Sequence, residues 1–281
     1  MVDGRRLRTI LVGAAIVLVG AIYFLPKLDA PKESAAPVAD GQKGGKNFSE
    51  QDYLKSSRAK LSWDKGALVD SLEKLLTSSQ VDSSVYDSLA SIWDGSGLPG
   101  MAARSFSQKA EKFGGENSWI NSAYRYFDAF KAANDSAESA WFVSKAIEAY
   151  GKVLEINPSN LNAKTDLGIL YAEATDQPMK GITLLREVVT ENPLHENAQM
   201  NLGFLSMKSG QYDKAIERFN KVLQINRSRI DAHVYLGEAY LQKGNPDSAI
   251  VNFEIFKNLS NDQELIKQID QYIAEIKKGK K

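Results

Sequence analysis

The sequence predicts an all-α protein in which antiparallel helix pairs stack into an α-α superhelix, preceded by an N-terminal transmembrane helix. Three observations predict it. Beyond Ser49 apolar residues recur with helical rather than alternating period. Short motifs return at separations of 34 and 35 residues through the second half of the chain. An uncharged run from Thr9 to Leu25 follows a cluster of arginines.

The first element is residues 1–8, which carry Arg5, Arg6 and Arg8 and read as a cytoplasmic start. The run TILVGAAIVLVGAIYFL, residues 9–25, is seventeen residues without a charge. At 1.5 Å per residue such a helix spans about 25 Å, the short end of what a bilayer core requires. Tyr23 and Phe24 fall where an interfacial aromatic belt lies, and three arginines before the run against Lys27 and Asp29 after it predict an exported remainder. A cleaved signal starts the same way. Here, however, the run exceeds the usual apolar core of about 7–15 residues, and the small-residue cleavage candidates Ala30 and Ala36 each precede a proline, Pro31 and Pro37. The expectation is a single-pass anchor in the inner (cytoplasmic) membrane with the C-terminal domain in the periplasm. A secreted soluble protein after signal cleavage is the rival reading.

Residues 26–48 are expected to form a flexible linker, since Asp29 to Lys46 is rich in Pro, Gly, Ala and charge and almost devoid of large apolar side chains. Its GQKGGK stretch, 41–46, is not a phosphate-binding loop. The glycine needed five residues before Gly45 is Asp40, and no Ser or Thr follows Lys46.

Residues 49–160 are expected to be divergent helical repeats. Ser49 is placed to cap a first helix running toward Ser62, and residues 49–82 read as one helical pair. Leu89, Ala90, Trp93, Gly97, Ala102 and Phe106 fit a second pair over about 83–116. A helix from Trp119 to Ala133 and an extra stretch around Asn134 precede Ala146, Tyr150, Val153 and Pro158.

Residues 161–263 hold the clearest repetition. Leu167-Gly168, Leu202-Gly203 and Leu236-Gly237 are 35 and 34 residues apart. Ala146-Ile147, Gly181-Ile182, Ala215-Ile216 and Ala249-Ile250 recur in a second register, followed four residues later by Tyr150, Leu185, Phe219 and Phe253. Asn157-Pro158 and Asn192-Pro193 close two units. Small residues let paired helices approach, aromatic residues fill the layer between them, and no single pair can bury its own apolar face, so neighbours must stack. The pattern resembles the tetratricopeptide repeat family over three units, 161–195, 196–229 and 230–263. Two positions depart from it: Ser206 replaces an aromatic residue, and Arg227 stands where the closing proline is expected. Residues 264–281 complete the chain as a capping helix and basic tail. Leu265, Ile266, Ile269, Tyr272, Ile273 and Ile276 share one face of a helix from Gln263 to Lys277.

Composition excludes much chemistry. With no cysteine and only His195 and His233, thiol catalysis, disulfides and Cys/His metal sites are absent. Equal counts of 35 basic and 35 acidic residues remove the whole-chain electrostatic case for nucleic acid. The histidines lie in neighbouring repeats without a nucleophile and orienting group, and the carboxylates read as solvated helix faces. No enzymatic activity, cofactor, metal or small-molecule substrate is expected.

The resemblance implies instead a concave face, lined by the first helix of each pair, that holds a protein or peptide segment. Carried onto this sequence, the residues placed there are Asn162, Thr165 and Ile169; Met200, Asn201 and Phe204; and Asp231, Val234, Tyr235 and Glu238. Chaperone-binding members clamp a terminal carboxylate with Lys, Arg and Asn, but here only Asn201 matches such a position. A mostly apolar groove suits a docked helix or extended segment. Anchor plus exported repeats resembles bacterial inner-membrane proteins whose periplasmic repeats assist translocation, folding or envelope assembly. The expected function is thus a membrane-anchored, non-enzymatic adaptor or scaffold. An organellar import-receptor-like protein with cytosolic repeats is a further alternative.

Overall fold

The computed structural model describes residues 48–78, 80–133 and 135–279. The expected cytoplasmic start 1–8, anchor 9–25, linker residues 26–47 and tail residues Lys280 and Lys281 lie outside the described residues. Among the described residues, no helix is long and apolar enough to cross a membrane.

The described residues form helices and no strand. In order they are α1 Glu50–Ala59, α2 Trp63–Leu76, α3 Ser84–Asp94, α4 Pro99–Phe113, α5 Glu116–Ala132, α6 Ser136–Ile156 and α7 Leu161–Ala174. Then come α8 Pro178–Glu191, α9 Glu196–Lys208, α10 Tyr212–Ile225, α11 Asp231–Gln242, α12 Pro246–Leu259 and α13 Gln263–Gly279. They fall into two compact units, which among the described residues are 48–202 and 203–279. The boundary lies inside α9, whereas the division at 160/161 read from the sequence marks a change in repeat regularity.

Helix starts follow capping chemistry. Ser49 Oγ accepts from the Asp52 amide at 3.2 Å, Asp135 accepts from the Ala137 and Glu138 amides at 2.8 and 3.0 Å, and Asn160 accepts from Ala163 at 2.9 Å. Proline opens α4, α8 and α12, where its missing N–H costs nothing.

The turns inside helix pairs use glycine in the left-handed region. Gly97, Gly210 and Gly244 have φ of 69°, 70° and 80°, and the following amides of Leu98, Gln211 and Asn245 reach back to the carbonyls of Trp93, Ser206 and Tyr240 at 2.8–3.0 Å. Position 206 contributes its carbonyl to this turn, so a serine there still closes it. The turns between pairs use asparagine. Asn157, Asn192 and Asn226 each donate their amide to the carbonyl of a fully buried valine four residues back, Val153, Val188 and Val222, at 2.7–2.8 Å. The Asn192 side chain accepts from the Leu194 amide at 3.0 Å, and that of Asn226 accepts from the Ser228 amide at 3.1 Å and hydroxyl at 2.6 Å. Arg227 therefore does not open the turn that lacks its proline, because the asparagine side chain organises it.

In the unit 48–202, consecutive helices from α2 to α8 pack on one another. Val69, Leu89, Trp93 and Met101 form the core of the first pairs, and Tyr126, Phe142, Tyr150, Val153, Leu167 and Leu170 that of the later ones. The linker's last residue departs from the expectation of an unpacked spacer. Phe48 stacks on Trp141 with ring centroids 4.8 Å apart, beside Tyr53 at 6.2 Å. Close approach is enforced at Gly100, where a Cβ would meet the Phe142 ring at 2.5 Å, and at Gly168, where it would lie 3.0 Å from Leu185.

In the unit 203–279, α10 to α13 pack in sequence. A Cβ on Gly203 would sit 2.5 Å from the Phe219 ring, and one on Gly237 would sit 2.5 Å from Phe253, so both glycines are required by the aromatic layer. α13 closes the last pair: Leu265, Ile269 and Ile273 join Val234, Ala249, Phe253 and Phe256 in one cluster. Lys257 of α12 binds Glu254 at 2.9 Å and also pairs with Asp270 of α13.

Candidate interaction face

Equivalent positions recur every 34 or 35 residues, so the ten predicted contact residues can be compared register by register. On a helix, positions i+4 and i+7 lie within about 40° of position i, while i+3 swings about 60° to one side of it. The face starting at Asn162 therefore runs through Asp166, Ile169 and Glu173. Its counterparts are Asn197, Asn201 and Phe204, and then Asp231, Tyr235 and Glu238.

Thr165, Met200 and Val234 occupy the same off-axis register, and all three are buried, at 1%, 4% and 4% exposure. Their expected place on an open groove is corrected here. The 60° offset turns them into the packed interior, where Thr165 Oγ1 donates to the Leu161 carbonyl at 2.7 Å and Val234 joins the cluster under α13.

In the unit 48–202, Asn162 is exposed and its Oδ1 lies 3.1 Å from His195 Nε2. His195 Nδ1 accepts from the Ala198 amide at 3.3 Å, which leaves the ring proton on Nε2 to be donated to Asn162. Burial holds the His195 pKa below its ordinary value, so the ring is a neutral connector. Ile169 and Asn201 are half-buried, with the Asn201 amide group donating to the Asn197 carbonyl at 2.8 Å.

In the unit 203–279, Phe204 meets Tyr235 edge-on with centroids 4.7 Å apart, and both rings lie within 5.6 Å of Phe219. Burial pushes the Tyr235 hydroxyl up to about 12. Asp231 is bound through both oxygens by Arg229, at 3.0 and 3.1 Å. Glu238, also expected to face a partner, is instead 6% exposed. Its nearest donor is the Tyr272 hydroxyl of α13 at 3.4 Å, and burial raises its pKa to about 7. The correction has a simple cause: the chain's own last helix covers this end of the face.

Sequence reasoning missed Asp166. The Tyr150 hydroxyl donates to Asp166 Oδ2 at 3.1 Å, and the Tyr124 hydroxyl acts on the same carboxylate. The Tyr124 and Tyr150 rings meet edge-on at 6.2 Å. Burial raises the Asp166 pKa above the usual carboxylate range, against the two tyrosine hydroxyls and the more distant Lys131 charge. Burial and then the Asp166 charge push Tyr150 up as well, so it remains a neutral donor. The signal was available: Asp166 stands four residues after Asn162 and three before Ile169, in the middle of the face.

Among the described residues, no group of three or more His, Asp or Glu is placed to hold a metal ion. The first helices carry polar and apolar side chains side by side on this face.

Comparisons with known proteins agree with this architecture. The TPR repeat family model matches residues 196–244. The RNA polymerase-associated protein CTR9 of Saccharomyces cerevisiae is 28% identical over 139 residues, covering 48% of this chain and 12% of that protein. The mitochondrial import receptor subunit TOM70 of Rattus norvegicus is 27% identical over 92 residues, covering 32% of this chain and 15% of that one. The matched stretch is thus a small part of either relative. Among solved structures, MamA (41-end) of Desulfovibrio magneticus RS-1 superposes with a TM-score of 0.53 at 19% identity, covering 64% of this chain and 96% of its own. A second MamA crystal structure gives 0.51 at 21% identity, with 63% and 91% coverage. Residues 196–244 thus match the TPR repeat family model, and the described residues form paired helices whose fold resembles these solved structures over about two thirds of the chain.

Proposed function

We propose that this protein is a non-enzymatic adaptor whose first-helix faces hold a segment of a partner protein. The observation that carries this reading is the helical register of α7. Asn162, Asp166 and Ile169 are set on one face of α7 by helical period, while Leu167, about 140° round the same helix from Asn162, is buried in the core. That leaves polar and apolar groups together on a rigid element, the composition of a recognition surface.

We propose further that Thr9–Leu25 anchors the chain in the inner membrane and that the repeats act in the periplasm, in translocation, folding or complex assembly. The supporting features are the uncharged run, the preceding arginines and the linker. The anchor is tested by alkaline carbonate extraction of the full chain beside a chain lacking residues 1–25. Retention of the first in the membrane pellet and release of the second is expected; release of both overturns the anchor.

The docking face is tested by site-specific photo-crosslinking in cells from Ile169, with exposed Arg186 of α8 as the control. A discrete adduct from Ile169 and none from Arg186 is expected. Equal adducts, or none, overturn this face as the docking surface.

A further inference from the structure

We infer that Asp166, Tyr124, Tyr150 and Asp128 form a subsite for a cationic side chain, arginine or lysine, of the docked segment. The inference rests on the docking reading above and adds to it the chemistry of one contact.

Three helices build the subsite. Asp166 comes from α7, Tyr150 from α6 and Tyr124 from α5, all within the unit 48–202. Asp128 stands one helical turn after Tyr124, so it shares that face, and its charge acts on both tyrosines. Tyr124 is 45% exposed, which opens one side of the cluster to a ligand. Asp166 is held in place by the 3.1 Å bond from Tyr150, yet among the described residues no lysine or arginine forms an ion pair with it.

The cation whose charge acts on Asp166 is Lys131, and its ammonium lies over the Phe127 ring, 4.0 Å from the centroid, rather than in an ion pair with the carboxylate. Two carboxylates against one displaced lysine leave a local excess of negative charge. A carboxylate taken partly out of water with only neutral hydroxyl donors is under-compensated; an arriving guanidinium or ammonium supplies the missing charge-assisted bonds. The edge-to-face tyrosine pair offers apolar ring surface to the methylene stem and ring face to the cationic head. An acidic or purely apolar residue gains nothing from this arrangement, so the subsite sets register along a docked segment as well as strength.

The test is a titration of the full-length chain, in neutral detergent and labelled with ring-13C tyrosine, with N-acetyl-arginine amide. N-acetyl-norleucine amide serves as the uncharged probe. The Tyr124 resonance is assigned by its loss in Tyr124→Phe. Saturable shifts of Tyr124 with the arginine amide and none with the norleucine amide are expected. Asp166→Asn should weaken the arginine response at least tenfold. Asp128→Asn, at an exposed position, should weaken it severalfold and guards against a folding defect in the first variant. Equal responses to the two amides, or an arginine response unchanged by both substitutions, overturns the subsite. The crosslinking from Ile169 separates the two ideas. Adducts there without an arginine response keep the docking face and remove the subsite, whereas an arginine response without adducts keeps the subsite and removes the docking face.

Discussion

Glu238 offers the sharpest physical prediction. It is 6% exposed and its contact with Tyr272 spans 3.4 Å. Burial raises its pKa from 4.5 in the unfolded chain to about 7. Between those values the folded protein binds the proton more tightly than the unfolded one, so stability is fully present below pH 4.5. It declines as pH rises toward 7 and is flat above. A difference of about 2.5 units at about 1.4 kcal/mol each gives roughly 3 kcal/mol for the whole window. Glu238→Gln keeps the acceptor for Tyr272 and removes the titration. The variant should match the parent near pH 4 and exceed it by up to about 3 kcal/mol at pH 8, read by urea denaturation followed by circular dichroism across that range. A gap between parent and variant that does not change with pH would refute the reasoning, because it would place the effect in packing rather than ionisation. Direct 13C detection of the Glu238 carboxyl gives a second reading of the same pKa.

Two further predictions concern the turns and the aromatic layer. Gly203→Ala puts a methyl 2.5 Å from the Phe219 ring and should cost about 1–3 kcal/mol in denaturant titrations; a neutral result would mean that the ring has room to move. Asn226→Ala removes the acceptor of the Ser228 amide and hydroxyl and should cost about 1 kcal/mol, while Arg227→Pro should be tolerated because the equivalent turn already carries Asn192-Pro193. Thermal melts of the two variants, compared with the parent, decide which residue organises that turn.

The helix pairs were legible because their signals are local. Glycine after leucine where a partner helix comes close, and alanine with an aromatic residue four positions on, each act through sterics within one pair. The face was legible only in part. Helical period places 162, 166 and 169 together, yet composition draws attention to apolar residues, and so Met200 and Val234 were named while Asp166 was passed over. Burial of Glu238 could not be read from its own repeat, since it depends on where α13 lies. The role of Asn192 and Asn226 was half visible: the Asn-Pro spacing drew the eye to the proline, but the hydrogen bonds run to the asparagine.

The position of α13 also decides where a partner can bind in the unit 203–279. Leu265, Ile269 and Ile273 are all buried against the last pair, and each is worth about 1.5–3 kcal/mol removed from water. A ligand reaching Val234 or Glu238 must first displace that helix, break the Lys257–Asp270 pair and open the contact with Tyr272. It recovers that cost only by burying a comparable apolar area itself. Among the described residues no such helix covers Asn162, Ile169 or the Asp166 cluster, since α7 is flanked by α6 and α8 and keeps Asn162 exposed and Ile169 half-exposed. A partner segment therefore meets the lower barrier at α7, which is why Ile169 rather than a residue of α11 is the position from which crosslinking is informative. A crosslinker at Glu238 serves as the control: it should capture α13 of its own chain, and capture of a foreign protein there would mean that α13 leaves its site.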